Sequence, residues 1–213
     1  MSAPAPDWQD PPRSGAYKVI AADPPWRFAT YSDRGKGRSA EAHYDCLDVE
    51  ALKAMPVARW GAPDCALFLW TTDPMLPVAL DIMRAWGFAY KTVGFYWVKT
   101  KRSVPAWTGG AGELFTGMGY WTRANPEMCL LGTRGRPIRQ ARDVARVVIS
   151  PRREHSRKPD EVPARIERLL AGPYLELFAR SSRPGWDSLG NQAVLFDNGS
   201  VPTRRRPSRE PTP

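Results

Sequence analysis

Histidine and paired cysteine are scarce in this chain of 213 residues. It has two histidines, His43 and His155, and three scattered cysteines, Cys46, Cys65 and Cys129. No C-x-x-C pair occurs, which argues against a structural zinc site and a disulfide framework. Three ordinary cysteines suit a reducing compartment. Long apolar runs are also missing: the longest, Cys65 to Trp70, falls far short of the roughly 20 residues that span a bilayer. The N-terminal run Met1-Ser2-Ala3-Pro4-Ala5-Pro6-Asp7 has no apolar core of a secretory signal. These gaps predict a soluble, cytoplasmic protein with no bound metal and no membrane contact. A domain of this length buries roughly 70% of its unfolded surface and needs no covalent staple.

Positive charge is plentiful, with a net +9 from 31 basic and 22 acidic residues. It is concentrated in Arg134, Arg136, Arg139, Arg142, Arg146, Arg152, Arg153, Arg157 and Lys158, and again in Arg204-Arg205-Arg206 with Arg209. Such clusters favour a polyanion through phosphate contacts and counterion release. Charge alone fits a solvated basic face equally well. Nine tryptophans tip the balance toward nucleic acid, because aromatic rings among basic residues can stack on unpaired bases.

Residues 1–15 and 198–213, rich in proline and polar or basic residues, are expected to be flexible ends around one domain at 16–197. Within it, strand-like and helix-like runs alternate. Tyr17 to Ala22, Cys65 to Thr72, Phe88 to Lys99, Glu127 to Thr133, Val144 to Ser150 and Tyr174 to Arg180 read as strands. A helix is expected from Asp48, as its cap, through Trp60. Another, from Pro74 to Trp86, is stopped by Gly87, with Leu76, Leu80 and Met83 on one face. The clearest helix runs from Pro159 to Ala171, with Asp160 and Glu161 at its positive end and Val162, Ile166, Leu169 and Leu170 as its stripe. The alternation predicts an α/β sheet covered by helices.

Asp23-Pro24-Pro25-Trp26 follows the first strand directly. A carboxylate there lies at the carboxyl end of the sheet, where open α/β folds bind ligands. The two prolines fix φ and carry no N–H, so the turn offers carbonyls without a competing internal bond. One Asp23 oxygen and a proline carbonyl can accept both hydrogens of an amino group and aim its lone pair at an electrophile. An adenine amine, conjugated into its ring, is a poor nucleophile and needs such help, and the carboxylate stabilises the cation that develops. Trp26 can stack on the base for about 1–3 kcal/mol. The bland alternative is a proline-rich surface turn.

At this point the chain resembles the DPPW-type, or MT-A-like, N6-adenine methyltransferases over roughly residues 17–192. Val19 to Trp26 is similar to their catalytic strand and turn. His43-Tyr44 with Cys46-Leu47-Asp48 resembles a gate segment, and Leu67 to Trp70 and Trp97 to Thr100 resemble two core strands. Gly119-Tyr120-Trp121 with Asn125-Pro126-Glu127 is similar to a loop whose glutamate faces the substrate base. His155 to Asp160, Leu175 to Arg180 and Gly190-Asn191-Gln192 look like the cofactor half.

The resemblance implies a Rossmann-like fold with permuted motif order, consistent with the missing G-x-G-x-x-G fingerprint, and S-adenosylmethionine as cofactor. It implies catalysis by Asp23, Pro24, Pro25 and Trp26, and a base pocket of Tyr44, Trp97 and Glu127. Cofactor contacts fall on Asp23, Lys158, Phe178, Arg180, Asn191 and Gln192, with Lys158 near the methionine carboxylate just before a helix. Two departures stand out. No clear equivalent of the eukaryotic relatives' upstream carboxylate precedes Tyr17, and Ser181-Ser182-Arg183-Pro184 replaces their His-Asn pair. The substrate is expected to be nucleic acid, DNA before RNA, with homo- or heterodimerisation open. The rival expectations are the same reaction on RNA, an inactive nucleic-acid-binding partner subunit, and methylation of another amino group.

Overall fold

The computed structural model describes residues 10–25, 48–119, 121–153 and 157–190. Of the residues singled out above, Trp26, His43, Tyr44, Cys46, Leu47, Tyr120, His155, Asn191 and Gln192 lie outside the described set, as does most of each expected flexible end.

Seven strands form one sheet: β1 (Tyr17–Ala22), β2 (Gly61–Thr71), β3 (Ala89–Thr100), β4 (Glu127–Arg134), β5 (Val147–Pro151), β6 (Tyr174–Leu177) and β7 (Trp186–Leu189). Their order is β5-β3-β4-β2-β1-β6-β7. β1 lies parallel to both β2 and β6, β6 to β7, and β3 to β5. Only β4 runs against its neighbours β2 and β3. β1 lies between parallel partners and β2 beside it is also covered on both faces, which is why β1 and most of β2 read as nearly unbroken apolar runs.

Successive side chains alternate between two cores. On one face Ile20, Ala22, Leu67, Leu69, Leu130, Leu175 and Leu177 pack against α1 (Val49–Lys53), α2 (Val57–Trp60) and α3 (Leu76–Ala85). On the other, Val19, Ala66, Phe68, Trp70, Phe95, Trp97, Cys129 and Val148 pack against Val162 and Ile166 of α4 (Glu161–Leu169). The expected α/β architecture, a mainly parallel sheet between helical layers, is therefore the one observed. No helix among the described residues is long and apolar enough to cross a membrane.

Several boundaries differ from expectation for local reasons. The helix expected over 48–60 divides into α1 and α2 because Pro56 lacks an N–H and crowds the preceding turn. α3 starts at Leu76 after a 3-10 turn over Asp73–Met75, and Gly87, at φ 80°, ends the segment as expected. α4 begins at Glu161 rather than Pro159, with Asp160 as its cap residue. β6 stops at Leu177 instead of Arg180 because Phe178 takes a left-handed backbone, φ 61°. β7 was not foreseen: Trp-Asp-Ser-Leu carries no apolar run, and only its pairing with β6 makes it a strand.

α4 holds its face of the sheet mainly through Val162 and Ile166, each 1% exposed. Truncating Ile166 to alanine is expected to cost about 2–5 kcal/mol in urea unfolding with an unchanged m-value. A cost under half a kcal/mol would show that α4 is not anchored there.

Candidate active site

Parallel strands deliver their last residues to one edge of the sheet, and an antiparallel strand delivers its first. Asp23 follows β1, Lys99 lies at the end of β3, Glu127 opens β4, and Phe178 follows β6, so all four share that edge. Trp97 faces Glu127 in the β3–β4 register. Lys158 reaches the same edge from the segment before α4.

These groups form a continuous ionic chain. Lys158 Nζ donates to Asp23 Oδ2 at 2.7 Å and lies 3.3 Å from Glu127 Oε2. Lys99 Nζ donates to Glu127 Oε1 at 2.5 Å. Arg180 Nη2 stands 3.7 Å from Asp23 Oδ2. All five side chains are only 15–22% exposed, so this is a desolvated network rather than a solvated surface pair. Aromatic faces back the cations: Lys158 Nζ lies 5.4 Å from the Trp70 ring centre and Lys99 Nζ 5.1 Å from that of Trp97.

The charges set the protonation states. Burial alone would raise the Glu127 carboxyl, but the charges of Lys158 and Lys99 and their hydrogen bonds hold it down at about 2. Burial works against the Lys158 ammonium, yet Asp23 and Glu127 raise it above its ordinary value. Both groups stay ionised at neutral pH. Glu176, on β6, is pushed the other way: burial raises its carboxyl to about 7, Arg183 opposes this, and Asp23 adds to it.

Beside the ionic chain a cleft opens between β1, β6 and the start of α4. Asp23, Trp70, Lys158, Glu176, Phe178 and Arg180 line it. The cleft thus combines carboxylates, cations and an aromatic ring.

The structure thus brings Asp23, Glu127, Lys158, Phe178 and Arg180 together. Pro24 and Pro25 follow Asp23 directly. Trp97 is 3% exposed, lies in the core cluster that includes Val162 and Ile166 of α4, and donates its indole N–H to the Ser150 carbonyl at 3.2 Å. Its ring lies against the Lys99 ammonium. Lys158 likewise grips two carboxylates instead of simply facing the cleft. Lys99, Trp70 and Glu176 were not foreseen as site residues. Lys99 had a legible signal, because it continues the buried alternation of Phe95 and Trp97, and a lysine on a buried face needs a carboxylate partner.

The Glu176 carboxyl gives a pH signature. Its folded value of about 7 lies above its ordinary 4.5, so the folded state holds the proton more tightly than the unfolded chain does. The associated stability is fully present below about pH 4.5 and drains away as pH rises through about 7. Glu176→Gln should therefore gain stability over the parent progressively between pH 4.5 and 7, with a plateau above. Urea titrations across that range test this, and a pH-independent difference would refute it.

A family model described as MT-A70 matches residues 17–192. The chain is 32% identical to the type II methyltransferase M.MunI of a Mycoplasma species, over 82% of this chain and 76% of that one. It is 34% identical to a putative N(6)-adenosine-methyltransferase MT-A70-like protein of Medicago truncatula, over 87% and 28%. Against the human N(6)-adenosine-methyltransferase catalytic subunit METTL3 the identity is 31%, over 84% and 28%. The chain thus spans about three quarters of the Mycoplasma protein but little more than a quarter of the plant and human ones.

Proposed function

This chain belongs to the MT-A70 family of S-adenosylmethionine-dependent methyltransferases, and on that premise we propose that it methylates the N6 amine of adenine in nucleic acid, DNA before RNA. The observation that carries the reading is the Asp23 carboxylate at the carboxyl end of β1, held from behind by Lys158.

With Oδ2 turned to Lys158, Asp23 Oδ1 accepts one hydrogen of the amine and the Pro24 carbonyl accepts the other. The amine is drawn toward tetrahedral geometry with its lone pair facing the cleft. Lys158 and Arg180 hold the Asp23 carboxylate in place, so its charge meets the cation developing on nitrogen without reorganisation. Pro25 stiffens the turn. Lys158, Phe178 and Arg180, which line the cleft, would hold S-adenosylmethionine, which supplies an electrophilic methyl when bound. Glu127, at the same edge of the sheet, would face the base. Orientation and charge stabilisation carry most of the rate. The adenine must leave its stack, or come from a single strand, to reach this edge.

DNA is favoured because the chain spans most of the Mycoplasma type II methyltransferase. RNA is the second reading, since the plant and human relatives are named adenosine methyltransferases. An inactive partner subunit is disfavoured by an Asp23 and a Lys158 that are both present and paired.

The test uses purified protein, labelled S-adenosylmethionine, and matched DNA and RNA oligonucleotides, single- and double-stranded, followed by nucleoside digestion. Label is expected in N6-methyladenine from DNA. Label from RNA alone would move the assignment, and none anywhere would favour the partner subunit. Asp23→Ala should abolish transfer while cofactor binding stays measurable by calorimetry. Near-parental turnover in that variant would sink the mechanism.

A further inference from the structure

Between β3 and β4 the chain makes a narrow turn whose described residues are 117–119 and 121–124. Gly117 N–H donates to the Ala124 carbonyl at 2.7 Å, and Ala124 N–H to that of Met118 at 3.4 Å. A Cβ on Gly119 would fall 1.9 Å from the Thr122 carbonyl oxygen, so only glycine closes this turn. At its tip Trp121 is 101% exposed and Met118 58%. Neither rests on the protein's own surface to any great extent, so both apolar side chains stand open to a partner.

The root of the turn is fixed to the active site. Asn125 accepts from Lys99 N–H at 2.9 Å and donates to the carbonyls of Lys99 at 2.9 Å and Phe115 at 2.5 Å. Glu127 follows two residues later. Around this root the surface is basic: the Arg152 guanidinium stacks 3.9 Å from the Phe115 ring centre, Arg102 holds the Arg153 carbonyl, and Arg123 is exposed. Two apolar side chains on a slender tip amid arginines do not make the broad apolar patch with a polar rim that a protein partner offers. They complement a polyanion with an aromatic interior, namely stacked bases between phosphates.

We propose that the 117–124 turn is a wedge that enters a nucleic-acid duplex at the target adenine, Trp121 and Met118 occupying the stacking surface vacated when the base leaves. This rests on the proposed function for the destination of the base. The wedge itself concerns how a duplex is opened. It requires Trp121 on paired substrate and leaves single strands, already unstacked, nearly indifferent to it.

An apolar wedge between base pairs untwists DNA, so the test relaxes a closed circular plasmid with topoisomerase in the presence of parent or Trp121→Ala protein. The plasmid offers every local sequence context, and the readout needs no methyl transfer. At equal bound protein the parent is expected to shift the topoisomer distribution, and Trp121→Ala to lose at least about four fifths of that shift, with Trp121→Phe restoring part of it. In the methylation assay Trp121→Ala should lower kcat/KM on duplexes by about tenfold or more and on single strands by less than about twofold.

No shift by the parent, or an equal shift by both proteins, overturns the wedge. So does an equal loss on single and double strands, which would make Trp121 a general stacking platform. A parent dimer that the variant abolishes in light scattering would assign the tip to a second copy instead. A parent that untwists the plasmid yet methylates nothing would keep the wedge and overturn the proposed reaction.

Discussion

The contact between Lys158 and Asp23 ties together two points 135 residues apart in sequence, and the site depends on it. It fixes the start of α4 to the end of β1, and α4 then covers the sheet face that carries Phe95, Trp97 and Cys129. The same ammonium reaches Glu127, and through it Lys99. Removing one member of such a desolvated pair typically costs about 3–5 kcal/mol, because the other charge is left stranded. A hydrophobic replacement of the whole network would often be as stable. Its presence at the ligand edge of the sheet is therefore explained better by chemistry than by stability.

The two glutamates beside this contact show how position sets charge. Glu127 lies between two lysines and stays ionised to strongly acidic pH. Glu176 is buried near Asp23 and titrates near neutrality. The cleft can thus change its net charge without disturbing the ionic chain at its back, since the two carboxyls answer to different neighbours.

Much of this was legible in the sequence, for identifiable reasons. β1 and Asp23 stand out because a short buried strand between parallel partners leaves an unbroken apolar run, and prolines punctuate its end. Gly87 marks the end of α3 as plainly. Lys158 and Glu127 read as ordinary surface charges without the family resemblance, because their partners come from distant parts of the chain. Trp97 entered the expected base pocket only through the family resemblance, and its register between Phe95 and Lys99 places its ring in the core. β7 and the break at Pro56 turned on pairing and on one missing N–H, which periodicity does not register.

The direction of β4 has an evolutionary consequence. Because β4 runs against its neighbours, Glu127 is placed by pairing with Trp97 rather than by the length of chain that precedes it. Residues 101–126 leave and re-enter at the same edge, clamped at Lys99 and Asn125. A longer or unrelated segment can be spliced between those two points without moving the chemistry, and doubling its length costs only about 0.6 kcal/mol in closure entropy. The fold thus separates the fixed ionic chain at the sheet edge from a segment whose length and sequence are free to vary.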